Sequence, residues 1–399
     1  MNKKRWVITT VLIVIVTNAI TFLGTNTVSL MMPNGKVIVS RDDYNSFTEF
    51  SKLYEIKNVL YELYDGKIDN GAIEEGAIKG MTSALNDPYT VFMDKKEYTE
   101  FNTQTEGNYS GVGLQVQSKD NKIVIVDIFE ESPAKKAGLL PRDEIEKVNG
   151  TAVSGKELDK AVTMMKGQEG TEVTLTLFRE EKGNFDVKLK RAKINMVTVK
   201  GEMLDNNIGY VAVSMFDENT SKNFKKELDT LNSKGAKAFI LDLRGNPGGL
   251  LDECVDMVSN FVPKDKVIVS TIDKYKREKK YNSIGGKYVG VPLVLLTDEG
   301  SASASEIFSG AIRDYKAGTL VGEKTFGKGV VQTVLETGEG TALKVTVSKY
   351  YTPNGENIHG TGIKPDIEVK YPEELLKKPY DRTTDPQFKK ALEIIKGKL

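Results

Sequence analysis

From about residue 195 onward, strand-like apolar runs alternate with amphipathic helix-like runs, and this alternation constrains the fold more than any other feature of the chain. IGYVAVSMF precedes DENTSKNFKKELDTL, KAFILDLRG precedes LLDECVDMVSNFV, and VPLVLLTDEG precedes SASEIFSGAIRDY. Apolar strands of this kind bury both faces only when helices cover the sheet, so an α/β layered core is expected. Ahead of it the pattern differs. Between residues 44 and 101, Phe50, Leu53, Tyr54, Val59, Leu60 and Leu63 recur at helical spacing, with a loop at Asn86-Asp87-Pro88. From 107 to about 193 come short strands, GLQVQ, KIVIVDIF and EVTLTLFR, separated by turn residues. The stretch 372–399 reads as a charged helical tail. The chain is thus an α+β multidomain protein, divided as an N-terminal end at 1–38, a helical region at 39–105, a β-rich module at 106–193, the α/β core at 194–371 and the tail at 372–399.

The N-terminal end is a different material. Lys3, Lys4 and Arg5 precede a run from 6 to 24, and no charge appears before Lys36. At about 1.5 Å per residue this run spans roughly 29 Å, close to the ~30 Å hydrocarbon layer of a bilayer. It is expected to be a membrane helix whose basic flank stays cytoplasmic, so that the remaining chain lies on the outer side of the cell membrane. The alternative is a cleaved signal peptide and a secreted protein. Only weak cleavage candidates, around Thr25 to Ser29, support that.

Composition removes several functions. Lys and Arg number 56 and Asp and Glu 56, a balance that does not suit a nucleic-acid binder. A single Cys, Cys254, cannot form an internal disulfide, and a single His, His359, excludes zinc sites of the HExxH or Cys/His type. No metal and no cofactor is expected. LDLRGNPGG is not followed by Gly-Lys-Ser/Thr, so a P-loop reading fails, and no G-x-S-x-G elbow is present.

In the β-rich module, GVGL at Gly111, Val112, Gly113 and Leu114 opens a strand. It is followed by AGL-x-x-x-D-x-I-x-x-VNG and by a helix over 156–166 with Leu158, Val162 and Met165 on one side. Glycines leave backbone N–H groups unshielded and able to form an anion-binding nest. The module resembles a PDZ domain. That resemblance implies a groove in which the glycine loop takes a peptide's terminal carboxylate and the peptide adds as a strand, with Leu158, Val162 and Lys166 along its helix. The family often has Arg where Lys166 stands, which affects any gating by a bidentate guanidinium.

The core offers serines at 301, 303 and 305 where a strand hands over to a helix, and Lys324, Lys328 and Gln332 in GEKTFGKGVVQ. With one distant histidine, a serine–lysine pair is the more natural nucleophile and base. Spacing alone favours a plainer reading, in which S-x-x-E at Ser303 and Glu306 is a helix capping box. LDLRGNPGG, GSASASEIFSGAI, FGKGVVQ and YYTPNGENIHGTGIKPDIEV together resemble the carboxy-terminal processing (tail-specific) serine peptidases. The resemblance extends to the order of anchor, helices, PDZ module and core. It implies Ser303 as nucleophile, Lys328 as base and Gln332 as its orienting partner, with the oxyanion held by the N–H of Ala304 and of Gly248 or Gly249. It also implies protein or peptide substrates with a free C-terminus, and makes a homodimer plausible. A lysine of pKa about 10.4 is neutral only some 0.04% of the time at pH 7, so Lys328 needs its pKa lowered by roughly three units. The competing class is a PDZ scaffold whose peptidase core no longer cuts.

Overall fold

The computed structural model describes Trp6, residues 9–17 and residues 40–399. Thr9 to Thr17 are helical and exposed, whereas 18–24 of the expected membrane helix lie outside the described residues. Among the described residues no helix is long and apolar enough to cross a membrane.

The chain divides into two units, 1–78 and 79–399. The first carries the helices Arg41–Glu49 and Ser51–Leu63, and the helix Asn70–Ser83 runs across the division. Ser40 caps the first helix by accepting the Asp43 N–H. None of the residues in these helices is buried, and Phe47, Leu53, Tyr54 and Val59 stand exposed.

In the second unit the predicted alternation forms a six-stranded sheet in the order Val199–Leu204, Ile208–Val213, Ala238–Asp242, Leu293–Thr297, Thr319–Gly322, Ile367–Glu368. The first pairing is antiparallel and the rest are parallel. Helices Thr220–Ser233, Leu251–Ser259 and Ala304–Asp314 cover one face, with Phe224, Phe308 and, just beyond the second helix, Phe261 packed with Phe239, Leu241 and Leu295. Helix Pro386–Lys396 covers the other, with Phe388, Ala391 and Ile395 against Ile240, Val294 and Leu296. Burial on both faces explains why Ala238–Asp242 and Leu293–Thr297 are buried along their whole length.

A second sheet was not part of the sequence expectation. It is antiparallel: Val91–Met93, Thr341–Tyr351, Val267–Asp273 and Glu278–Asn282 in order, with Val330–Gly338 as a hairpin partner of Thr341–Tyr351. Its hairpin strands Val330–Gly338 and Thr341–Tyr351 mix exposed and half-buried residues rather than being continuously apolar, so they lack the signal that marks the parallel strands.

The β-rich module is a six-stranded sheet, Leu114–Lys119, Lys122–Ile128, Glu144–Val148, Glu172–Arg179 and Gly183–Lys190 in order, with Thr151–Ala152 beside Glu144–Val148. The chain enters and leaves it through one two-stranded ladder, Asn108–Gly111 against Ala192–Asn195. Asn149 (φ 49°) and Gly150 (φ 77°) make the tight turn between Glu144–Val148 and Thr151–Ala152, a conformation that favours the Asn-Gly pair. The motif aspartate, Asp143, is buried, accepts the Leu140 N–H at 2.9 Å and forms a two-pronged pair with Arg179 at 2.6 and 2.7 Å.

Candidate active site

Three loops of the core converge at the C-terminal edge of the parallel sheet: 243–249, 298–303 and 325–329. The first is pinned at its start. Arg244 donates to Asp242 (Nε to Oδ1 3.0 Å, Nη2 to Oδ2 2.7 Å) and reaches Asp385 and Gln387 at 2.7 and 2.9 Å. Burial opposes this charge, but the Asp242 hydrogen bonds and the two carboxylates hold the guanidinium above its ordinary pKa. Asn246, fully buried, then ties the first loop to the second. Its carbonyl accepts the Ala302 N–H at 3.0 Å and the Ser305 hydroxyl at 2.9 Å, and its Oδ1 accepts the Gly248 N–H at 2.9 Å.

The three serines separate by burial. Ser301 and Ser305 are fully buried, and their hydroxyls donate to the Leu243 and Asn246 carbonyls at 2.8 and 2.9 Å. Ser303 is only half-buried and lines a cavity of about 520 Å³. Its backbone sits at φ 55°, ψ −112°, ahead of helix Ala304–Asp314. A plain helix cap is ordinarily extended, so capping alone does not account for this conformation.

Gly248 explains why the loop needs glycine. Its φ is 103°, and a Cβ there would lie 2.8 Å from Ser303 Cβ and 2.9 Å from the Ala304 nitrogen. Gly249, at φ 142°, is pressed instead against the Phe216 carbonyl. Among the described residues, neither the Ala304 nor the Gly249 N–H has an acceptor, whereas the Gly248 N–H is taken by Asn246. All three residues line the Ser303 cavity.

Glu306 joins the second loop to the third. Fully buried, it accepts from Ser303 N at 2.9 Å and Lys328 N at 2.8 Å through Oε2, and from Thr325 Oγ1 at 2.6 Å and Gly327 N at 2.8 Å through Oε1. Burial pushes its carboxyl upward against these four hydrogen bonds. The sequence offered it only as one half of a capping box.

Lys328 lines the same cavity, half-buried, with its Nζ 4.8 Å from the centre of the Tyr89 ring. Burial draws its pKa below the usual lysine range and the charge of Lys344 acts the same way, while Asp87 and Glu306 oppose them. Gln332 shares the cavity, and its Nε2 donates to Thr346 Oγ1 at 3.2 Å. Lys324 is exposed and lines a neighbouring cavity. His359 is exposed, and its Nδ1 accepts the Gly329 N–H at 3.4 Å. Tyr89 follows the Asn86-Asp87-Pro88 loop, and Lys344 lies in a strand of the second sheet. Neither carried a sequence signal, because only the tertiary fold brings them here.

In the β-rich module, Val112, Gly113, Leu114, Val162 and Lys166 line a pocket of about 40 Å³ together with Tyr109 and Met165. Leu158, one turn before Val162, packs against the module's core instead. Strand Leu114–Lys119 is an edge strand. The helix is shorter than expected, Leu158–Met165, with a 3₁₀ turn at Gly155–Glu157 ahead of it. Lys166 sits at its C-terminal end with Nζ 5.2 Å from the Tyr109 ring centre. Arg191, buried, donates to the Met164 and Met165 carbonyls at 2.8 and 3.2 Å.

Comparison with known proteins agrees with this anatomy. Residues 207–369 match the model of peptidase family S41, 110–189 match the PDZ domain, and 14–97 match the activating protease CtpB N-terminal domain. The carboxy-terminal processing protease CtpA of Bacillus subtilis (strain 168) is 40% identical over 367 residues, covering 92% of this chain and 77% of that protein. The carboxy-terminal processing protease CtpB of the same strain is 38% identical over 329 residues, covering 82% of this chain and 68% of that protein. A solved structure, a putative S41 protease from Bacteroides fragilis NCTC 9343, shares the fold with a TM-score of 0.52 at 18% identity, over 84% of this chain and 93% of its own. The chain belongs to the S41 family of serine-type peptidases, among the carboxy-terminal processing proteases that carry a PDZ domain.

Proposed function

We propose that this peptidase cuts protein tails with a Ser303–Lys328 dyad. One observation carries the reading: a serine in a strained backbone conformation at a helix N-terminus shares a cavity with a half-buried lysine whose pKa is lowered. Neutral Lys328 takes the Ser303 proton, and Oγ attacks the scissile carbonyl. The unpaired N–H groups of Ala304 and Gly249, aided by the helix N-terminus and with Gly248 closing that side, stabilise the oxyanion. The leaving amine takes a proton, an acyl-enzyme remains, and water hydrolyses it. Gln332, in the strand Val330–Gly338 that follows Lys328, orients it from within the same cavity. A free C-terminus is captured by the Gly111–Leu114 loop, with the peptide laid along the free edge of Leu114–Lys119.

We further propose that residues 6–24 anchor the protein in the cell membrane with the peptidase outside. The exposed apolar side chains of Arg41–Glu49 and Ser51–Leu63 suit pairing with a second copy. Alkaline extraction of membranes tests the anchor, since an anchored chain stays in the pellet.

Cleavage of a tail peptide tests the dyad. Ser303→Ala and Lys328→Ala each abolish turnover in proteins that still fold, and the double variant is little worse than either. Substantial turnover by either single variant refutes the assignment.

A further inference from the structure

The Ser303 cavity holds a second ammonium group that the dyad does not use. Among the described residues, four lysines are withdrawn from solvent: Lys79, Lys328, Lys344 and Lys390. Lys79 pairs with Asp94 and Glu97, and Lys390 with Glu393. Lys328 and Lys344 have no carboxylate within ion-pair distance, and both line the same cavity. The partly buried arginines make the contrast plain. Arg179, Arg244, Arg313 and Arg382 are each paired with a carboxylate, and buried Arg191 is satisfied instead by the Met164, Met165 and Glu172 carbonyls and the Thr171 hydroxyl. A half-buried charge without a counter-ion is costly, and two of like sign in one cavity are costlier.

The sheet register directs Lys344 there. Thr341–Tyr351 pairs with Val330–Gly338 so that Lys344 stands opposite Val334 and Thr346 opposite Gln332. Side chains two residues apart share a face, so Lys344 lies on the Gln332 side of the hairpin. Its Nζ lies 5.5 Å from the centre of the Phe101 ring, a contact that stabilises a cation without neutralising it. Much of the surrounding wall is apolar: Phe101, Met215, Leu251, Val331 and Val334. An unpaired cation in such a wall, in the cavity that Ser303 also lines, is placed to receive an anion that arrives with the substrate.

We propose that Lys344 is a specificity-determining residue that reads a carboxylate on the bound peptide near the cleaved bond. This rests on the peptidase reading of the same cavity. The carboxylate has two possible sources, an Asp or Glu side chain within the cavity or the peptide's own terminus, and Lys344 recognises the chemistry they share. No step of the chemistry is changed. The ion pair forms with the substrate and helps to hold it across Ser303.

The test uses the full chain and a tail peptide that it cleaves. In one arm Asp is placed in turn at each position flanking the cut and compared with Asn. In the other, the free-acid peptide is compared with its C-terminal amide. The parent prefers the carboxylate over its neutral twin in at least one comparison by about tenfold or more in kcat/KM. Lys344→Met brings the Asp/Asn ratio to near one or lowers the acid/amide ratio to what the Gly111–Leu114 loop alone supplies, and Lys344→Arg retains most of the parental value. Loss of the Asp/Asn ratio identifies a side-chain carboxylate, and loss of the acid/amide ratio identifies the terminus. Because a ratio is read, a uniform slowing caused by the altered charge beside Lys328 cancels. A parental enzyme that cleaves but discriminates in neither arm overturns the proposal, as does a Lys344→Met or Lys344→Gln protein that keeps the parental ratio. Failure of the parent to cleave any tail peptide overturns the peptidase reading itself.

Discussion

Glu306 offers the most direct test of how the site is held together. Its carboxylate receives four donors, two on each oxygen, and two of them are the backbone N–H groups of Ser303 and Lys328. Glu306→Gln keeps the shape but turns one acceptor into a donor. With the new NH₂ in the Oε2 position, both Ser303 and Lys328 lose their acceptor. With it in the Oε1 position, the Thr325 oxygen can accept from the new NH₂, as it already does from Ile363 N at 2.7 Å, while the Gly327 N–H and the Thr325 O–H lose their acceptor. The second arrangement therefore wins. Each orphaned buried donor costs roughly 1–3 kcal/mol, the new bond from the amide NH₂ to Thr325 Oγ1 recovers part of this, and bonds to a neutral oxygen are weaker than bonds to a carboxylate. Burial already disfavours the charge, so its loss offsets part of this, leaving a net cost of about 2 kcal/mol. Glu306→Ala strands all four donors and costs roughly 4 kcal/mol or more, with loss of turnover. Urea denaturation at constant slope measures the stabilities, and tail-peptide kinetics measure kcat. Equal stability of the Gln and Ala variants, or parental kcat in Glu306→Ala, refutes the idea that this carboxylate couples the two loops.

Four further expectations follow from the geometry. Because burial lowers the Lys328 pKa, the rate rises with pH through that lowered value, and Lys344→Met moves this limb to higher pH by removing a like charge; a limb that stays put refutes the electrostatic coupling. The same depression means that unfolding takes up a proton, so this group's contribution to stability increases as pH rises from the folded to the unfolded lysine pKa. Gly248→Ala drives a methyl group toward Ser303 and Ala304 N at a positive φ, so kcat falls by about 10²-fold or more; activity within a few-fold of the parent contradicts this packing. His359→Ala keeps activity within about tenfold, whereas loss of a true general base costs about 10⁴, and kinetics on one tail peptide separate the two.

The parallel core was legible because its strands are buried on both faces and read as unbroken apolar runs, as Leu293–Thr297 does. The antiparallel sheet was not, since Val330–Gly338 and Thr341–Tyr351 keep one face toward solvent and mix Thr, Lys and Glu among their apolar residues. Ser303 and Lys328 were identifiable only through four motifs taken together. The local pattern around Ser303 taken alone favours a capping box, and the distinguishing feature, its backbone conformation, has no signature in residue type. Glu306 was legible as a cap but not as the acceptor for a loop some twenty residues away. Tyr89 and Lys344 were invisible for a simpler reason: long-range strand pairing brings them to the cavity, and no short pattern encodes that.

The pairing of Val91–Met93 with Thr341–Tyr351 bears on when the enzyme comes into being. The cavity wall draws on Phe101, Gln104 and Thr105 from before the PDZ insertion and on Lys344 and Tyr350 from more than 150 residues after it begins. Contacts so distant in sequence form late, after more local structure has reduced the entropy of closing the intervening loop. During synthesis the PDZ module, whose strands pair with one another, is complete well before the cavity has its far wall. The chain therefore passes through a stage at which the peptide-binding module exists and the cutting site does not, so the order of residues along the polypeptide delays proteolysis until strand Thr341–Tyr351 has been made.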